Sequence, residues 1–310
     1  MIIKVLGSAA GGGFPQWNCN CRNCADVRAG RPGFRARTQS SLAVSRDGSE
    51  WVLLNTSPDL RHQINSNPEL GSRADGALRN SPIKAAVLTN GDVDHITGLI
   101  NLREMEPFAF YGSDRVLSTI AQNSVFNVLD AGKVKRRELT LDTPTALYGA
   151  DAPLGLTVTA FAVPGKIALY LEDASKGDNF GSTAGDTIGL EVSDPASGKS
   201  FFYIPGCAEV DAKLAARLRN AALVFFDGTL YTDNEMIDAG LMPKTGARMG
   251  HISISGEAGS IAALAPLGVG RRIYVHINNS NPVLDEHSEA RRQTEAAGWE
   301  VGYDGMEVRL

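Results

Sequence analysis

The chain has 310 residues, of which 43% are hydrophobic and 21% charged, and its formal net charge is −5. This length allows a sizeable core, and the mild acidity argues against a nucleic-acid partner, because phosphate binding needs a basic surface. No apolar run reaches the roughly 18 residues of a membrane span, and the glycine-rich start lacks the apolar segment of a signal peptide, so we expect a cytoplasmic protein.

The first half of the chain alternates short strands and helices. Residues 1–7, MIIKVLG, are typical of a buried strand, and residues 41–55 predict a hairpin around Asp47-Gly48. A helix is predicted to begin with Ser57 as N-cap and Pro58 at its first position. The next predicted elements are a strand at 84–90, a helix at 94–105, a strand at 107–112 and a helix at 113–129 capped by Ser113 or Asp114.

The second half repeats this organisation. Its predicted elements are strands at 154–163 and within 186–206, a helix at 209–221, a strand at 222–228, a helix at 254–268, a strand at 271–278 and a helix at 285–298. Both halves run from antiparallel strands into βα units, which predicts two sheets packed face to face with helices outside. No repeat or long linker divides the chain, and from length alone one large domain is as likely as two. The one dense basic patch, Lys133–Glu138, is expected to be a solvated face.

Potential metal ligands follow four of the predicted strands. The ligands are Asp92, Asp94 and His95 after one strand, and Cys207, Asp227 and His276 at the ends of three others. Taken singly, such an acid could cap a helix, and His276 could be a satisfied core histidine. Their recurrence at strand ends, where loops carry function, favours a common site.

Carboxylates combined with two imidazoles suit a divalent metal. Two His and one carboxylate with open positions favour non-haem Fe(II), whereas a zinc hydrolase more often has three His, or two His and a Glu. Two acids as close as Asp92 and Asp94 would repel each other strongly without a cation between them.

Three of the four cysteines, Cys19, Cys21 and Cys24, form the compact motif CNCRNC. In a reducing compartment this spacing favours metal binding over disulfides. The thiolates can converge on one tetrahedral ion, and a closed structural zinc site then needs a fourth ligand from elsewhere. Reduced surface thiols and a redox role are the alternatives, although Cys19 and Cys21 are too near for a relaxed disulfide.

The remaining histidines differ in their surroundings. His62 and His287 are expected to be structural or surface residues. His251 lies in MGHISISGEA, between a glycine-containing loop and a predicted helix. It is either a plain residue of the capping loop or an acid, a base or a substrate contact.

Several segments resemble the metallo-β-lactamase superfamily. TNGDVDHITGL resembles its motif H-x-H-x-D-H-x-x-G, with Asn90 and Asp92 in place of the first two histidines and with Asp94, His95 and Gly98 matching. VLGSAAGGGFPQWNCNCRNC, GHISISGEA and YVHIN resemble the branch that includes ribonuclease Z-like and cyclic phosphodiesterase proteins. Over essentially its whole length the chain is similar to a family of this superfamily that takes part in making the redox cofactor pyrroloquinoline quinone (PQQ).

The resemblance implies an α/β fold, the metallo-β-lactamase-like αββα sandwich of two packed mixed β-sheets flanked by helices, as one domain over residues 1–310. It also implies that a third histidine would fall near Gly165 and Lys166, and a bridging aspartate near Cys207. The first superfamily metal site therefore lacks its ligands, and ordinary two-metal hydrolysis is disfavoured. The second site keeps Asp94, His95 and His276.

We expect Fe2+ at this second site, with Asp92 as a further or alternative ligand. His251 is expected to be catalytic, moving protons or positioning the substrate, and Lys166 or nearby arginines could pair with substrate carboxylates. The resemblance implies one of two roles in PQQ biosynthesis. One is Fe(II)- and O2-dependent hydroxylation of the tyrosine-derived ring of a Glu–Tyr crosslinked precursor, and the other is carriage of PQQ or its precursor towards the periplasm. A divergent metallo-hydrolase is the third alternative.

The resemblance further implies a structural Zn2+ at Cys19, Cys21 and Cys24. In the related phosphodiesterases a histidine three residues after the final one completes this site, and Asn279 stands there in this chain, which leaves the fourth ligand open. The expected partners are PQQ or its small-molecule precursor, a second copy of the chain in a homodimer, and other proteins of PQQ biosynthesis.

Overall fold

Two seven-stranded sheets form the centre of the fold in a computed structural model that describes residues 1–177 and 179–310. The first sheet contains β1 (Ile2–Gly7), β2 (Ser41–Ser45), β3 (Trp51–Leu54), β4 (Ile83–Val87), β5 (Phe108–Gly112), β6 (Val134–Glu138) and β14 (Glu307–Arg309). The second contains β7 (Pro144–Tyr148), β8 (Pro153–Ala162), β9 (Ile188–Asp194), β10 (Lys199–Ile204), β11 (Leu223–Asp227), β12 (Arg271–Val275) and β13 (Glu300–Val301).

The helices are short. They are α1 (Arg22–Arg28), α2 (Leu60–Ser66), α3 (Val93–Ile96), α4 (Asp114–Gln122), α5 (Ala212–Leu218), α6 (Glu235–Asp238), α7 (Gly246–Met249), α8 (Ser260–Leu264) and α9 (Glu289–Ala296). Single 3-10 turns occupy Pro68–Leu70, Thr97–Leu102, Ser124–Val128, Leu169–Leu171, Ala174–Lys176, Ala265–Leu267 and Pro282–Leu284. Within the part of the chain that the structure describes, every helix is too short to traverse a lipid bilayer.

The two sheets share one topology. The strand orders are β14–β1–β2–β3–β4–β5–β6 and β13–β12–β11–β10–β9–β8–β7. In the first sheet β14 to β3 pair antiparallel and β3 to β6 pair parallel. In the second β7 to β10 pair antiparallel and β10 to β13 pair parallel. Parallel strands deliver their carboxyl ends to one edge of a sheet, which is where loops commonly carry functional residues.

Apolar side chains fill three layers. The inner faces of both sheets form one core, in which Val5 and Val87 of the first sheet join Phe225 and Val275 of the second. The outer face of the first sheet is covered by α2, α3 and α4, and that of the second by α1, α5, α8 and α9. The αββα sandwich predicted from the sequence is therefore confirmed.

Several helices are shorter than predicted. The helix predicted at 94–105 is only the single turn α3 followed by a 3-10 turn, and the one at 113–129 ends at Gln122 because Asn123 is extended. The helix at 254–268 begins only at Ser260, and α2 begins at Leu60 rather than after Ser57. In these cases tertiary contacts override local helical preference.

One basic stretch forms a strand that the sequence did not predict. Residues Val134–Glu138 are β6, at the edge of the first sheet, where Val134 is buried, Lys135 and Arg137 are partly buried, and Arg136 and Glu138 are exposed. Charged side chains at an exposed edge discourage pairing with other chains. The expected solvated face is thus the outer side of an edge strand.

Gly98 permits the close packing that positions α3. Its backbone N–H donates to the carbonyl of Thr56 at 2.9 Å, and a Cβ built on Gly98 would lie 2.1 Å from the carbonyl oxygen of Ser57. Backbone atoms on both sides cannot move apart without displacing the turn that carries His95.

Replacing Gly98 with Ala should lower the free energy of unfolding by about 1–3 kcal/mol, because the added methyl group overpacks against backbone. Urea denaturation of Gly98→Ala against wild type measures the loss. Gly132→Ala is the matched control, since a Cβ at Gly132 would meet only the side chain of exposed Asp130. Equal stability of Gly98→Ala and wild type would contradict the packing argument.

Candidate metal centre and cleft

The turn after β4 is held by backbone hydrogen bonds to the neighbouring loop. The N–H groups of His95 and Ile96 donate to the carbonyl of Asp92 at 2.9 and 3.1 Å, which begins α3 at this point. The N–H of Thr56 donates to the carbonyl of His95 at 2.8 Å. These bonds fix the backbone from which Asp94 and His95 project.

His95 is buried, and one of its ring nitrogens has no partner. Its Nδ1 lies 2.6 Å from Oδ1 of Asn90 and donates to it, which leaves Nε2 as an acceptor. Among the described residues Nε2 has no hydrogen-bond partner, although it is buried. Burial lowers the pKa of His95 to about 4, so the imidazole is neutral. A buried lone pair without a partner is rare in native proteins, and a metal ion would satisfy it.

His276 brings a second imidazole from the other sheet. It follows β12 directly, with φ of 56°, a conformation unusual for a residue other than glycine. Its Nδ1 lies 2.8 Å from Oγ1 of Thr229, and its Nε2 lies 3.1 Å from Oδ2 of Asp94. The rings of His276 and His95 meet edge to face, with centroids 5.2 Å apart.

The ligand atoms of Asp94, His95 and His276 lie within 4.8 Å of one another. The hydroxyl group of Thr229 donates a hydrogen bond to Oδ1 of Asp227 at 2.6 Å. Its oxygen therefore accepts a hydrogen bond from Nδ1–H of His276. Nε2 of His276 then faces the Asp94 carboxylate with a lone pair, and only a cation or a proton can relieve that contact. The donor set therefore fits a metal ion.

The pKa values of the two acids after β4 are shifted in opposite directions. Burial works to raise the pKa of Asp94, but His95 and His276 beside it hold that pKa below its usual value. Burial and the negative charge of Asp94 raise the pKa of Asp92 to about 6. Oδ2 of Asp92 accepts a hydrogen bond from Nδ2 of Asn90 at 2.8 Å, and within the described chain Asp92 stands outside the cluster formed by the other three.

A second group, Asp227, His251 and His276, also has ligand atoms within 4.8 Å of one another. Nδ1 of His251 lies 2.7 Å from Oδ2 of Asp227. The rings of His251 and His276 are stacked, with their centroids 5.3 Å apart. Burial opposes protonation of His251, but the carboxylate of Asp227 raises its pKa.

Asp227 orients His251 rather than offering a free ligand. Its Oδ2 also accepts the N–H of Cys207 at 2.9 Å, and its Oδ1 accepts the N–H of Thr229 at 3.0 Å. Both oxygens are thereby occupied. The sequence predicted Asp227 as a potential metal ligand at a strand end and did not predict its contact with His251. That pairing joins residues 24 positions apart, which no local motif records.

The positions at which the superfamily carries its third histidine and its bridging aspartate offer no free ligand atom to the cleft. Cys207 is buried, its thiol donates to the carbonyl of Glu209 at 3.1 Å, and burial together with Asp227 raises the pKa of the thiol. Gly165 has no side chain, and the ammonium group of Lys166 is paired with Glu172.

The three clustered cysteines converge on one amide. Their ligand atoms lie within 4.8 Å of one another, and the side-chain amide of Asn279 lies 3.0 Å from Sγ of Cys19, 3.7 Å from that of Cys21 and 3.3 Å from that of Cys24. The amide thus lies within hydrogen-bond range of all three sulfurs. The oxygen and nitrogen of an Asn amide exchange places by a simple rotation, which could present the oxygen to an ion.

A cleft of about 490 Å³ contains the metal-ligand cluster. Asp92, Asp94, His95, His251 and His276 line it together with Cys19 and Asn279, so both predicted metal sites border one space. His62 is exposed and lies outside it.

Two packed mixed sheets with clustered metal ligands at the strand ends define the metallo-β-lactamase class of proteins. The sequence model of the beta-lactamase superfamily domain matches residues 50–277. A diphosphatase of the PhnP family, 19% identical, shares the fold with a TM-score of 0.69 over 100% of this chain and 97% of its own.

Similarity to one family extends over the whole chain. Coenzyme PQQ synthesis protein B of Methylorubrum populi is 49% identical over 310 residues, 100% of both chains, and that of Rhodopseudomonas palustris is 51% identical over 312 residues, 99% of each. The crystal structure of Zn2+-bound PqqB from Methylobacterium extorquens has a TM-score of 0.94 at 49% identity, covering 100% of both chains. The chain belongs to the coenzyme PQQ synthesis protein B family.

The burial of Asp92 beside Asp94 predicts that ionisation of Asp92 lowers the free energy of unfolding of the metal-free protein. A carboxyl whose pKa is raised on folding destabilises the folded state once it is ionised, and this cost disappears below about pH 4, where Asp92 is protonated in both states. Asp92→Asn should therefore stabilise the metal-free protein by about 1–2 kcal/mol near pH 8 and have no effect near pH 3.

Chemical denaturation of Asp92→Asn and wild type across this pH range measures the difference, with exposed Asp151→Asn as the control outside the cleft. Added Zn2+ should cancel the gain, because a cation attracts the second carboxylate. A gain that is independent of pH would show that repulsion between the acids is not its cause.

Proposed function

We propose that the protein acts in PQQ biosynthesis as an Fe(II)- and O2-dependent hydroxylase of the tyrosine-derived ring of a Glu–Tyr crosslinked precursor. The names of relatives that are about half identical over their full length support the pathway. The observation that carries the iron site is the convergence of Asp94, His95 and His276, with a buried and unpartnered Nε2 on His95.

The protonation of these groups supports metal binding. Ligands must be deprotonated, and the low pKa values of Asp94 and His95 keep both in that form at neutral pH. Two imidazoles and one carboxylate leave coordination positions open, as in non-haem Fe(II) oxygenases. A ferrous ion held there would supply the activation of molecular oxygen.

His251 is placed to move the proton of the substrate. Its Nδ1–H donates to Asp227, so its Nε2 is the acceptor, and it lines the same cleft as the metal ligands. Asp227 stabilises the imidazolium that forms when Nε2 takes a proton from a phenolic hydroxyl group. Asp92 borders this space as a further or alternative metal ligand.

A carrier is the second candidate, and the cations that line the cleft favour it because they suit a polycarboxylate such as PQQ. A carrier would bind PQQ without turning over any precursor. A divergent hydrolase is less well supported, since Gly165 supplies no side chain where the first metal site needs a ligand.

His95→Ala should abolish metal-dependent oxygen uptake, because it removes a ligand whose Nε2 has no other partner. The protein is reconstituted anaerobically with Fe(II), then given O2, the crosslinked precursor and ascorbate as reductant, and oxygen consumption and product mass are recorded. The reductant supplies the two electrons with which the second oxygen atom of O2 leaves as water. His62→Ala, on the exposed side of α2, is the control and should retain full uptake.

The product distinguishes the candidates. Wild type should add oxygen mass to the precursor. Unchanged mass with tightly bound PQQ would favour the carrier, and cleavage without oxygen would favour the hydrolase. Full uptake by His95→Ala would contradict the assignment of the iron site.

We also propose that Cys19, Cys21 and Cys24 hold a structural zinc with the amide oxygen of Asn279 as fourth ligand. Cys24→Ser should remove one equivalent of zinc per chain and lower the unfolding temperature. Asn279→Ala should weaken zinc binding about tenfold or more, whereas Asn279→His should retain it, because imidazole is a regular zinc ligand.

Zinc content after dialysis against a graded chelator measures these changes, and Cys207→Ser is the control because its thiol lies outside the cluster. Zinc affinity in Asn279→Ala equal to that of wild type would exclude the amide as a ligand.

A further inference from the structure

The cleft has a cationic wall in addition to its metal ligands. Lys166, Lys244 and Arg248 line it, and Glu172 is the acid that lies among them. One carboxylate can neutralise at most one of the three positive charges. The acids Asp92 and Asp94 line the same cleft, so its charge changes sign between the two groups.

Two of the cations are held in fixed positions. Nζ of Lys166 pairs with Oε1 of Glu172 and donates to the carbonyl of Arg248 at 2.9 Å, and Nη2 of Arg248 lies 3.0 Å from Oε2 of Glu172. The ring of Phe180 lies beneath both side chains. Its centroid is 3.7 Å from Cζ of Arg248 and 4.9 Å from Nζ of Lys166. Cation–π contacts of this kind hold charged groups in place.

The surplus positive charge is available to a ligand. The side chains of Lys166 and Glu172 are only 16% and 13% exposed, so charge interactions there are weakly screened. Across the described residues, Lys244 makes no ion pair within 4.0 Å. The stem of Lys166 lies close to Gly250, the neighbour of His251, which brings the cationic wall next to the proposed proton acceptor.

A third part of the cleft is apolar. Met236, Leu241, Met242 and Met249 line it. Methionine side chains adapt to irregular shapes and make favourable contacts with aromatic rings. The cleft therefore combines a metal-ligand end, a cationic wall and a surface suited to a flat ring.

We propose that Lys166, Lys244 and Arg248 form a carboxylate-binding subsite for an aromatic ring that carries two or more carboxylates. The carboxylates pair with the cations, the ring packs on the methionines, and the oxidisable part of the ring faces the metal ligands. Negative charge at Asp92 and Asp94 disfavours the reverse orientation. The subsite deepens the proposed function and, for its natural substrate, rests on it.

Glu172 acts as an internal competitor in this subsite. Hydrogen bonds from Arg248 and Lys166 lower its pKa to about 2, so it is ionised at neutral pH and occupies the donors that a ligand carboxylate would use. Removing its charge should strengthen ligand binding, whereas a purely structural ion pair would only lose stability.

Calorimetric titration of zinc-loaded wild type and variants tests the subsite with three probes: PQQ, its trimethyl ester, and benzene-1,3,5-tricarboxylate. Lys166→Gln, Lys244→Gln and Arg248→Gln should each bind the two free acids about tenfold more weakly, and Glu172→Gln should bind them several-fold more tightly. Binding of the ester should not change. Lys213→Gln, a surface lysine outside the cleft, is the matched control.

The outcomes separate this inference from the proposed function. Equal affinity of wild type, Lys244→Gln and Glu172→Gln for both free acids would overturn the subsite, even if hydroxylation is observed. Charge-dependent binding of benzene-1,3,5-tricarboxylate without binding of PQQ would support the subsite and contradict the carrier of PQQ. Failure of both acids to bind wild type would overturn the subsite, and product mass with the precursor would still decide whether the protein is a hydroxylase. Lys244 and Glu172 keep the test decisive if Lys166→Gln does not fold.

Discussion

The chemistry of the cleft depends on one recurring interaction: each of its three imidazoles is hydrogen-bonded at Nδ1. His95 donates to Asn90, His276 to Thr229 and His251 to Asp227. A bond at Nδ1 sets the tautomer and the ring orientation, and leaves Nε2 as the free electron pair. Nε2 of His95 and Nε2 of His276 then face the carboxylate of Asp94, whereas the carboxylate partner of His251, Asp227, lies at its Nδ1. In the proposed function the first two rings hold the metal and the third moves a proton, because the groups around the rings differ.

The segment after β12 connects the two predicted metal sites. His276 belongs to the cluster in the cleft, and Asn279, three residues later, contacts all three clustered cysteines. The backbone carbonyl of Asn279 also accepts a hydrogen bond from Nδ2 of Asn23 at 3.1 Å. An ion at the cysteines would therefore restrain the backbone that places His276. If zinc binds the cysteines as proposed, it would stabilise the position of His276 as well as the N-terminal loop.

The cleft is organised by charge as well as by shape. Acids gather where a cation is needed, and Lys166 and Arg248 gather on a separate wall with Phe180 beneath them. A ligand with a charged end and an electron-rich ring experiences opposite electrostatic forces at the two walls. In the proposed subsite this separation of charge would orient a polycarboxylate before any chemistry begins.

Local features of this protein could be predicted from its sequence alone. Asp94 and His95 are adjacent in one turn, the three cysteines lie in one short motif, and β-rich arms around Asp47-Gly48 predict the hairpin that the structure contains. Features that depend on tertiary packing could not be predicted in this way. They are the pairing of His251 with Asp227, the contact of the Asn279 amide with the cysteine sulfurs, and the position of β6 as a charged edge strand. The short length of α3 also depends on tertiary packing, because Gly98, two residues after its end, packs on a neighbouring loop. Patterns along a chain report periodicity and nearest neighbours, whereas hydrogen bonds between strand ends depend on how two sheets are packed.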